Sequence, residues 1–452
     1  MLKTRSITFY LFFFMPLVLG AQSGREASLA GIEPGSLHQL SAAKAPVLTY
    51  YQHIKPIIDK HCTGCHRAGQ AAPFPLTSYE AVQKRAHFIQ TAVETRYMPP
   101  WHADPAFRSF HNENRLSSTD IQLIADWVAG GAKSGKQEKK AHQPNNMDQQ
   151  PAFVEPDLRL TMQQPFEIPG DNTEQFRIFV IPTHTEEVLY VRGIGFHPGN
   201  LQQAHHARLM IDTTNLLRPD DGAVAGDPNT EFTRRQVKMS EEFWHGWVPG
   251  NFPILYPEGF GKRLPKNADL ILNMHYSPTP KPETDQSAVS LYLCREKPRR
   301  LVKTFALGEQ WITNQPFVIP ANTEIKFYMR SPILPADLSL ATVMPHMHLL
   351  GKSFKAYAIT PKGELIHLIH IPVWDFKWQM IYQFDKLLKL PKGSVIYAEA
   401  VFDNTKSNSL NPNPVPRDVT YGWGTKDEMM NLIFEYLDYE EGDETLNLFN
   451  RN

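Results

Sequence analysis

The spacing of apolar positions changes from helical to strand-like about a third of the way along the chain. In the early part, apolar residues recur at helical intervals, as in Val82, Ala86, Ile89 and Val93. Thr77 to Glu80 has capping-box form ahead of that run. Ser117 with Asp120 opens a second predicted helix, which the glycines at 130–131 end. The pattern therefore predicts a small helical domain over residues 45–132.

After residue 152 the pattern alternates between apolar and polar positions, which is typical of strands. Clear alternation covers residues 175–181, 394–401 and 431–437, and Pro-Lys-Gly turns stand at 361–363 and 391–393. About 300 residues of short strands without a long helix favour β-sandwiches. Residues 133–151, rich in Lys, Gln and Asn, separate the two patterns as a linker. The predicted fold class is multidomain, with a small all-α domain followed by two all-β sandwiches.

The first residues have the form of a signal peptide. Lys3 and Arg5 precede an apolar run from Ile7 to Leu19, and small residues up to Ala21 follow. The run is about 13 residues long, against the roughly 20 that a membrane span needs, which favours cleavage after Ala21 over an uncleaved anchor. We therefore predict a signal peptide at residues 1–21, export to the periplasm, and no membrane span after cleavage.

Charge and cysteine content exclude two classes of protein. The 46 basic and 47 acidic side chains nearly cancel, giving a formal net charge of −1. This balance argues against a nucleic-acid partner bound by an electrostatic field. Three cysteines are too few for a disulfide scaffold.

The sequence Cys62-Thr63-Gly64-Cys65-His66 matches the C-x-x-C-H attachment sequence of c-type haem. Two thiols bond covalently to the porphyrin vinyl groups, and the adjoining imidazole coordinates the iron. A zinc site is the alternative, but zinc normally takes four ligands and the third cysteine, Cys294, is distant in the sequence. A thioredoxin-like redox motif would need a βαβ context, which this segment lacks. We predict haem c held by Cys62, Cys65 and His66.

Met98 is the predicted second axial ligand of the haem iron. It precedes Pro99-Pro100, which stiffen the loop, and a thioether ligand raises the reduction potential. His87, His102 and His111 are rivals for this position, and an open coordination position is a further alternative. Packing in the core is the structural alternative for a methionine.

A second constellation combines histidine and methionine on three separate segments. His205 and His206 begin one strand-like run, His275 ends another, and His346 and His348 stand two residues apart. Because alternate residues of a strand share a face, one metal can take both His346 and His348. His205 and His206 are adjacent and face opposite sides of a regular strand, so joint ligation requires a bulge or a strong twist.

Spacing alone leaves the identity of the metal open. Imidazoles suit zinc, copper, iron and nickel, whereas an added thioether favours Cu(I). A single histidine is more often a hydrogen-bonded structural residue than a ligand, so the prediction rests on the set.

Four motifs in order give a resemblance to a known family. They are His205-His206, Met274-His275-Tyr276, the run from His346 to Lys352, and the run from Thr425 to Met429. Together they resemble the copper type II ascorbate-dependent monooxygenases, which include peptidylglycine alpha-hydroxylating monooxygenase and dopamine beta-monooxygenase. The resemblance covers about residues 152–441, and the helical part looks like the haem domain fused to bacterial members.

The resemblance implies two jelly-roll-like sandwiches, at residues 152–297 and 298–445, each binding one copper, with a water-filled cleft between them. His205, His206 and His275 would hold the electron-transfer copper. His346, His348 and Met429 would hold the copper that binds dioxygen and hydroxylates substrate. The sites therefore call for two copper ions in addition to haem c.

The chain departs from the family pattern around the substrate. The arginine that anchors the substrate's carboxylate in the amidating enzyme stands two residues before the His-x-His pair, and here Met344 takes that place. A tyrosine four residues after the methionine ligand is replaced by Ile433, whereas an asparagine is kept as Asn431. These substitutions fit a less charged or more apolar substrate than a peptide C-terminus.

The resemblance predicts an exported monooxygenase that hydroxylates a C–H bond of an unknown small molecule with dioxygen. Its two electrons would come from ascorbate or a redox protein, with the tethered haem as a relay. A non-catalytic electron-transfer or copper-binding haem protein is the alternative, and a zinc hydrolase is a third interpretation.

Overall fold

The computed structural model describes residues 47–68, 70, 72–137, 155–249, 253–422 and 424–449. The predicted signal peptide and most of the predicted linker lie outside these residues. The described part is mostly β, with a helical block at residues 47–137, a first β unit at 155–301 and a second β unit at 303–449. Among the described helices, none is long and apolar enough to cross a membrane.

The helical block begins with one π-helical turn, Tyr50–Ile54, and continues with α1 (Lys55–His61), α2 (Tyr79–Gln83), α3 (Ala86–Glu94) and α4 (Ser118–Ala129). The predicted capping box of α4 is confirmed, because the Ser117 hydroxyl accepts from the Asp120 amide and the Asp120 carboxylate accepts from the Ser117 amide. The first predicted helix is different. Its cap is Ser78, and the helix breaks at Arg85, whose backbone leaves helical dihedrals and whose guanidinium lies over the Phe74 ring.

The first β unit contains two main sheets, antiparallel except for the parallel pair β9–β13, and the short helix α5 (Glu231–Arg235). Its strands are β1 (Leu158–Thr161), β2 (Phe166–Ile168), β3 (Gln175–Pro182), β4 (Leu189–His197), β5 (Ala204–Asp212), β6 (Ala223–Val224), β7 (Glu241–Trp247), β8 (Ile254–Leu255), β9 (Phe260–Leu264), β10 (Asp269–Tyr276), β11 (Glu283–Asp285), β12 (Ala288–Leu293) and β13 (Arg300–Leu301). One sheet has the order β1-β12-β4-β9-β13, with β8 beside β4, and the other has the order β6-β3-β10-β5-β7. Apolar residues of both sheets form one core, so the two sheets pack face to face.

The second β unit repeats this arrangement with two four-stranded sheets. Its strands are β14 (Lys303–Leu307), β15 (Val318–Ile319), β16 (Glu324–Arg330), β17 (Leu338–His346), β18 (Gly351–Ile359), β19 (Leu365–Ile371), β20 (Tyr382–Leu390), β21 (Val395–Asp403), β22 (Val419–Thr420) and β23 (Asn431–Asp438). The sheets have the orders β14-β23-β17-β20 and β16-β21-β18-β19, and they share one core. The strands predicted at 175–181, 394–401 and 431–437 are confirmed by β3, β21 and β23.

A buried ion pair connects the first β unit with the second. Lys262 Nζ on β9 lies 2.6 Å from Glu435 Oε1 on β23, and both side chains are buried. The Tyr256 hydroxyl donates to the same carboxylate oxygen at 3.0 Å, and Lys262 also donates to the Trp244 carbonyl. A buried charge pair is stable only with such additional hydrogen bonds, so the contact favours one arrangement of the two units.

Candidate functional site

Three imidazoles converge on one point in the first β unit. The Nδ1 atoms of His205, His206 and His275, which we call the first donor set, lie 3.1 Å, 3.2 Å and 3.4 Å apart. The centre of this triangle lies about 1.9 Å from each nitrogen, close to the roughly 2.0 Å of a metal–imidazole bond. A proton shared by two of these nitrogens leaves the third without a partner, whereas one cation at the centre binds all three. The donor set therefore fits a metal ion.

A strand irregularity allows the two adjacent histidines to face the same point. His206 pairs with His275 across β5 and β10, but the next pair joins Ala204 with Tyr276. His205 is thus the extra residue of a bulge, which turns its side chain to the side of His206. The sequence predicted that joint ligation by His205 and His206 requires such a distortion, but it did not show where the distortion lies.

A carboxylate lies behind the first donor set. Glu174 Oε1 is 3.4 Å from His275 Nε2, which has no closer partner among the described residues, and the other Glu174 oxygen accepts from the Thr425 hydroxyl. Burial acts to raise the pKa of Glu174, but its contacts with His275 and Thr425 outweigh burial, so the pKa is lowered. Glu174 therefore stays anionic and orients His275, as carboxylates do for metal-binding histidines.

Two imidazoles of the first donor set, those of His205 and His206, are held in the neutral form that binds metals. Burial, followed by the neighbouring His275, lowers the pKa of His205 to about 4. Burial and the adjacent imidazoles also hold the pKa of His206 well below its usual value. Because metal ligation requires a free lone pair, these two side chains need no deprotonation at neutral pH.

The second donor set consists of His346 at the end of β17, His348 in the turn that follows it, and Met429 in the loop before β23. His346 pairs with Asn431 across these strands, which places Met429 near the histidines. Nδ1 of His346 donates to Gln379 Oε1, and Nδ1 of His348 donates to the Asp427 carbonyl at 3.0 Å. Since each Nδ1 carries the proton, the Nε2 lone pairs are left for a metal. Burial lowers the pKa of His346 to about 3 and that of His348 to about 4.

Asn431 acts on the thioether of the second donor set. Its Nδ2 donates to Met429 Sδ at 3.6 Å, and Met429 is buried. This contact fixes the sulfur, whose second lone pair is available to a soft ion such as Cu(I). Asn431, a predicted substrate residue, thus contacts the donor set and also lines the cavity described below.

The Glu428 carboxyl group accepts hydrogen bonds from three backbone amides around the second donor set. Its oxygens accept from the amides of His348 at 2.9 Å, Leu350 at 2.6 Å and Met429 at 3.1 Å. Burial raises the pKa of Glu428 to about 8, although these hydrogen bonds favour the carboxylate. Glu428 is not among the described residues that line the cavity, so it is not placed as the base of a zinc hydrolase.

One cavity, partly open to solvent, borders both donor sets. His206 lines it from the first set, and all three members of the second set line it as well. Its apolar lining consists of Phe176, Phe243, Trp247, Val248, Met344, Ile433 and Phe376. Met344 and Ile433, which stand where the family pattern has polar residues, both line this cavity.

Arg208 is the one permanently charged side chain among the described residues of this lining. Burial lowers its pKa to about 10, so it remains a cation at neutral pH. The cavity is thus apolar and aromatic with a single guanidinium, which sequence reasoning missed. The signal in the sequence that could have identified Arg208 is its position on β5, two residues after His206.

The helical block contains the four residues predicted to bind haem. Cys62 follows α1, and Cys65 and His66 complete the same turn. The three cysteines form no disulfide with one another, and burial raises the pKa of the Cys62 thiol to about 12. His66 Nδ1 donates to the Phe74 carbonyl at 3.0 Å, which leaves Nε2 as a ligand atom. The two thiols and the tautomer of His66, whose Nε2 is left to bind, therefore fit a haem iron with His66 as an axial ligand.

Met98 and its rivals lie on different parts of the helical block. Met98 follows α3, where its amide donates to the Ala92 carbonyl at 3.1 Å. His87 lies on α3, whereas His102 and His111 belong to residues 99–116, which we call the strap. The identity of the second axial ligand stays a prediction.

The strap packs along the second β unit. Phe107 stacks on His367 with ring centroids 4.0 Å apart, and His370 Nδ1 donates to the Asp104 carboxylate at 3.2 Å. The His111 amide donates to the Gln383 carbonyl at 2.8 Å, which extends the edge of β20. The helical block therefore packs directly against the second β unit. The predicted linker is a separate connection, which leads to the first β unit.

Residues 313–446 match the sequence model of one family, described as the copper type II ascorbate-dependent monooxygenase, C-terminal domain. The matched part contains the whole second donor set, with Gln379, Glu428 and Asn431. No curated protein matches the sequence.

Similar solved structures are remote. The major capsid protein P2 from bacteriophage PM2 has 8% identity and a TM-score of 0.22, over 60% of this chain and 100% of that chain. The infectious bursal disease virus VP2 subviral particle has 9% identity and a TM-score of 0.17, over 64% of this chain and 73% of that chain. An allantoicase has 9% identity and a TM-score of 0.14, over 53% of this chain and 81% of that chain. Scores this low carry no argument about fold or function.

Proposed function

We propose that this chain, an oxidoreductase of the copper type II ascorbate-dependent monooxygenase class, binds one copper ion through each donor set and hydroxylates a C–H bond of a small molecule. The observation that carries the proposal is that both donor sets border one cavity. Copper, when bound, supplies single-electron transfer and dioxygen binding. We further propose two jelly-roll-like sandwiches as the frame of these sites.

The two donor sets are suited to different tasks. Three imidazoles fixed by a bulge and by Glu174 form a closed site that favours electron transfer without substrate. Two imidazoles and a thioether leave coordination positions open toward the cavity, where dioxygen and substrate have access. In this assignment His346, His348 and Met429 are the catalytic ligands.

The cavity lining favours a substrate with a mostly apolar body. Phe176, Phe243 and Trp247 exclude water from its sides, and Met344 and Ile433 offer no hydrogen bond. Besides the histidines, Arg208, Asn273, Gln379 and Asn431 are the polar side chains of the lining, and the guanidinium and amide donors suit a carbonyl or carboxylate group. A small aromatic or aliphatic molecule with one acceptor group fits this surface better than a peptide.

We propose that the helical block is a cytochrome c-like domain carrying haem c on Cys62, Cys65 and His66, with Met98 as second axial ligand. The exposed aromatic side chains of this block support a bound apolar group. Phe88 is 60% exposed and Tyr97 is 57% exposed, and a porphyrin would cover such surface. Export to the periplasm, where c-type haem is attached, is part of the same proposal.

The strap gives the proposed haem a short path to the metal sites. His102, four residues after Met98, lies beside Val373 and Asp375, and their contacts influence its pKa, which burial lowers. Phe376 follows directly and contacts the first donor set. We therefore propose that electrons from ascorbate or a redox protein reach the first donor set through the helical block.

Metal analysis and oxygen uptake test the function. We expect about two copper ions and one iron per purified chain, oxygen consumption with ascorbate, and a substrate mass gain of one oxygen atom. One zinc without copper would refute the copper proposal. Copper without oxygen uptake across varied reductants and substrates would instead favour a non-catalytic carrier.

Stopped-flow spectroscopy tests the relay separately. After rapid haem reduction, we expect haem reoxidation to be faster in copper-loaded protein than in copper-free protein. Equal rates would refute the relay while leaving the monooxygenase proposal in place.

A further inference from the structure

A single loop reaches both donor sets. Residues 372–381, which we call the bridging loop, connect β19 to β20. Trp374 Nε1 donates to the His348 carbonyl at 3.2 Å, and Gln379 accepts from His346. Gln379 Nε2 also donates to the Phe376 carbonyl at 3.0 Å, so the position of Phe376 is tied to the second donor set.

The ring of Phe376 contacts four of the five imidazoles. Its centroid is 5.6 Å from that of His205, 6.3 Å from His206, 6.1 Å from His275 and 5.9 Å from His348. Within the described part of the chain, no imidazole of one donor set makes a ring contact with an imidazole of the other. Among the described residues, Phe376 is therefore the aromatic side chain with ring contacts to both donor sets.

The surroundings make this ring a rigid spacer. Phe376 is buried, with 6% of its surface exposed, and its backbone is held by the bridging loop of the second β unit. The first donor set belongs to the other β unit. Removing a buried ring leaves a space that its neighbours fill only partly, and polar walls admit water to it. Without the ring of Phe376, the distance between the two donor sets is no longer fixed at this point.

We propose that Phe376 is a positioning residue that holds the two metal sites one aromatic ring apart. This inference rests on the proposed function, which assigns a copper ion to each donor set.

Dipolar coupling between two Cu(II) ions, measured by electron paramagnetic resonance, tests the proposal on the full chain. Because this coupling falls with the cube of the distance, it reports the separation directly and does not require turnover. We expect one narrow distance distribution in the wild type, a broader and shifted one in Phe376→Ala, and recovery in Phe376→Tyr. Phe243→Ala is the matched control, since Phe243 lines the same cavity and packs against Gly246 without a ring contact to either donor set within the described residues.

An unchanged distribution in Phe376→Ala would overturn the proposal, as would equal broadening in Phe243→Ala. Phe376→Leu serves as a second variant if Phe376→Ala does not fold. Copper content distinguishes the two levels of inference, because a wild type with fewer than two copper ions refutes the proposed function. In that case, crystal structures of the metal-free wild type and variant decide the role of Phe376. Equal separation of His205 and His348 in both would overturn it.

Discussion

Glu174 is the side chain outside the donor sets whose removal should affect metal binding most directly. Its carboxylate lies 3.4 Å from His275 Nε2 and also accepts from Thr425. Loss of such an outer partner typically weakens metal affinity roughly 10- to 100-fold. Glu174→Ala should therefore weaken copper binding by about 1.4–2.7 kcal/mol at the first donor set, with a smaller effect at the second.

Anaerobic titration of the Cu(I) protein against a chelator of known affinity measures both sites. Glu174→Gln keeps an acceptor oxygen but loses the charge, so its affinity should lie between those of Glu174→Ala and the wild type. Thr425→Val removes only the second contact and should have a smaller effect of the same sign. Glu187→Gln, an exposed carboxylate of the same β unit, controls for a general change in charge.

Two results would refute this reasoning. Wild-type affinity in Glu174→Ala would mean that the carboxylate does not orient His275. Equal weakening at both donor sets would mean that Glu174 acts on the packing of the whole molecule. Circular dichroism of each variant separates these outcomes from misfolding.

The remaining predictions concern the other groups. Met429→Ala should abolish oxygen uptake but keep copper at the first donor set, which metal analysis after dialysis checks; loss of both ions would contradict the separate sites. Cys62→Ala should leave haem attached by one thioether bond, which shifts the absorption band of the pyridine complex, and an unchanged band would contradict the attachment. Burial lowers the pKa of His245 to about 4, so the unfolded chain binds a proton there below about 6.5. The free energy of unfolding should therefore fall as the pH decreases from about 6.5 toward 4, and His245→Phe should reduce that dependence in thermal melts; equal pH dependence in both proteins would contradict it.

The local elements followed from the sequence because their signals are short-range. The Ser117–Asp120 capping box and the alternation along β3 and β23 depend on neighbouring residues only, and the structure has these elements. The break at Arg85 did not follow, because that side chain turns to Phe74, a partner outside the helix. Apolar spacing is the same on both sides of the break.

The chain of residues by itself determined which donors are available: five imidazoles, one thioether, and a C-x-x-C-H turn. Tertiary structure decided how the donors meet, through the bulge at His205, the Glu174 and Glu428 carboxylates, and the ring of Phe376. These features come from pairing and packing between segments far apart in the chain. Spacing within a strand defines which residues share a face, but it does not define which distant loop lies against that face.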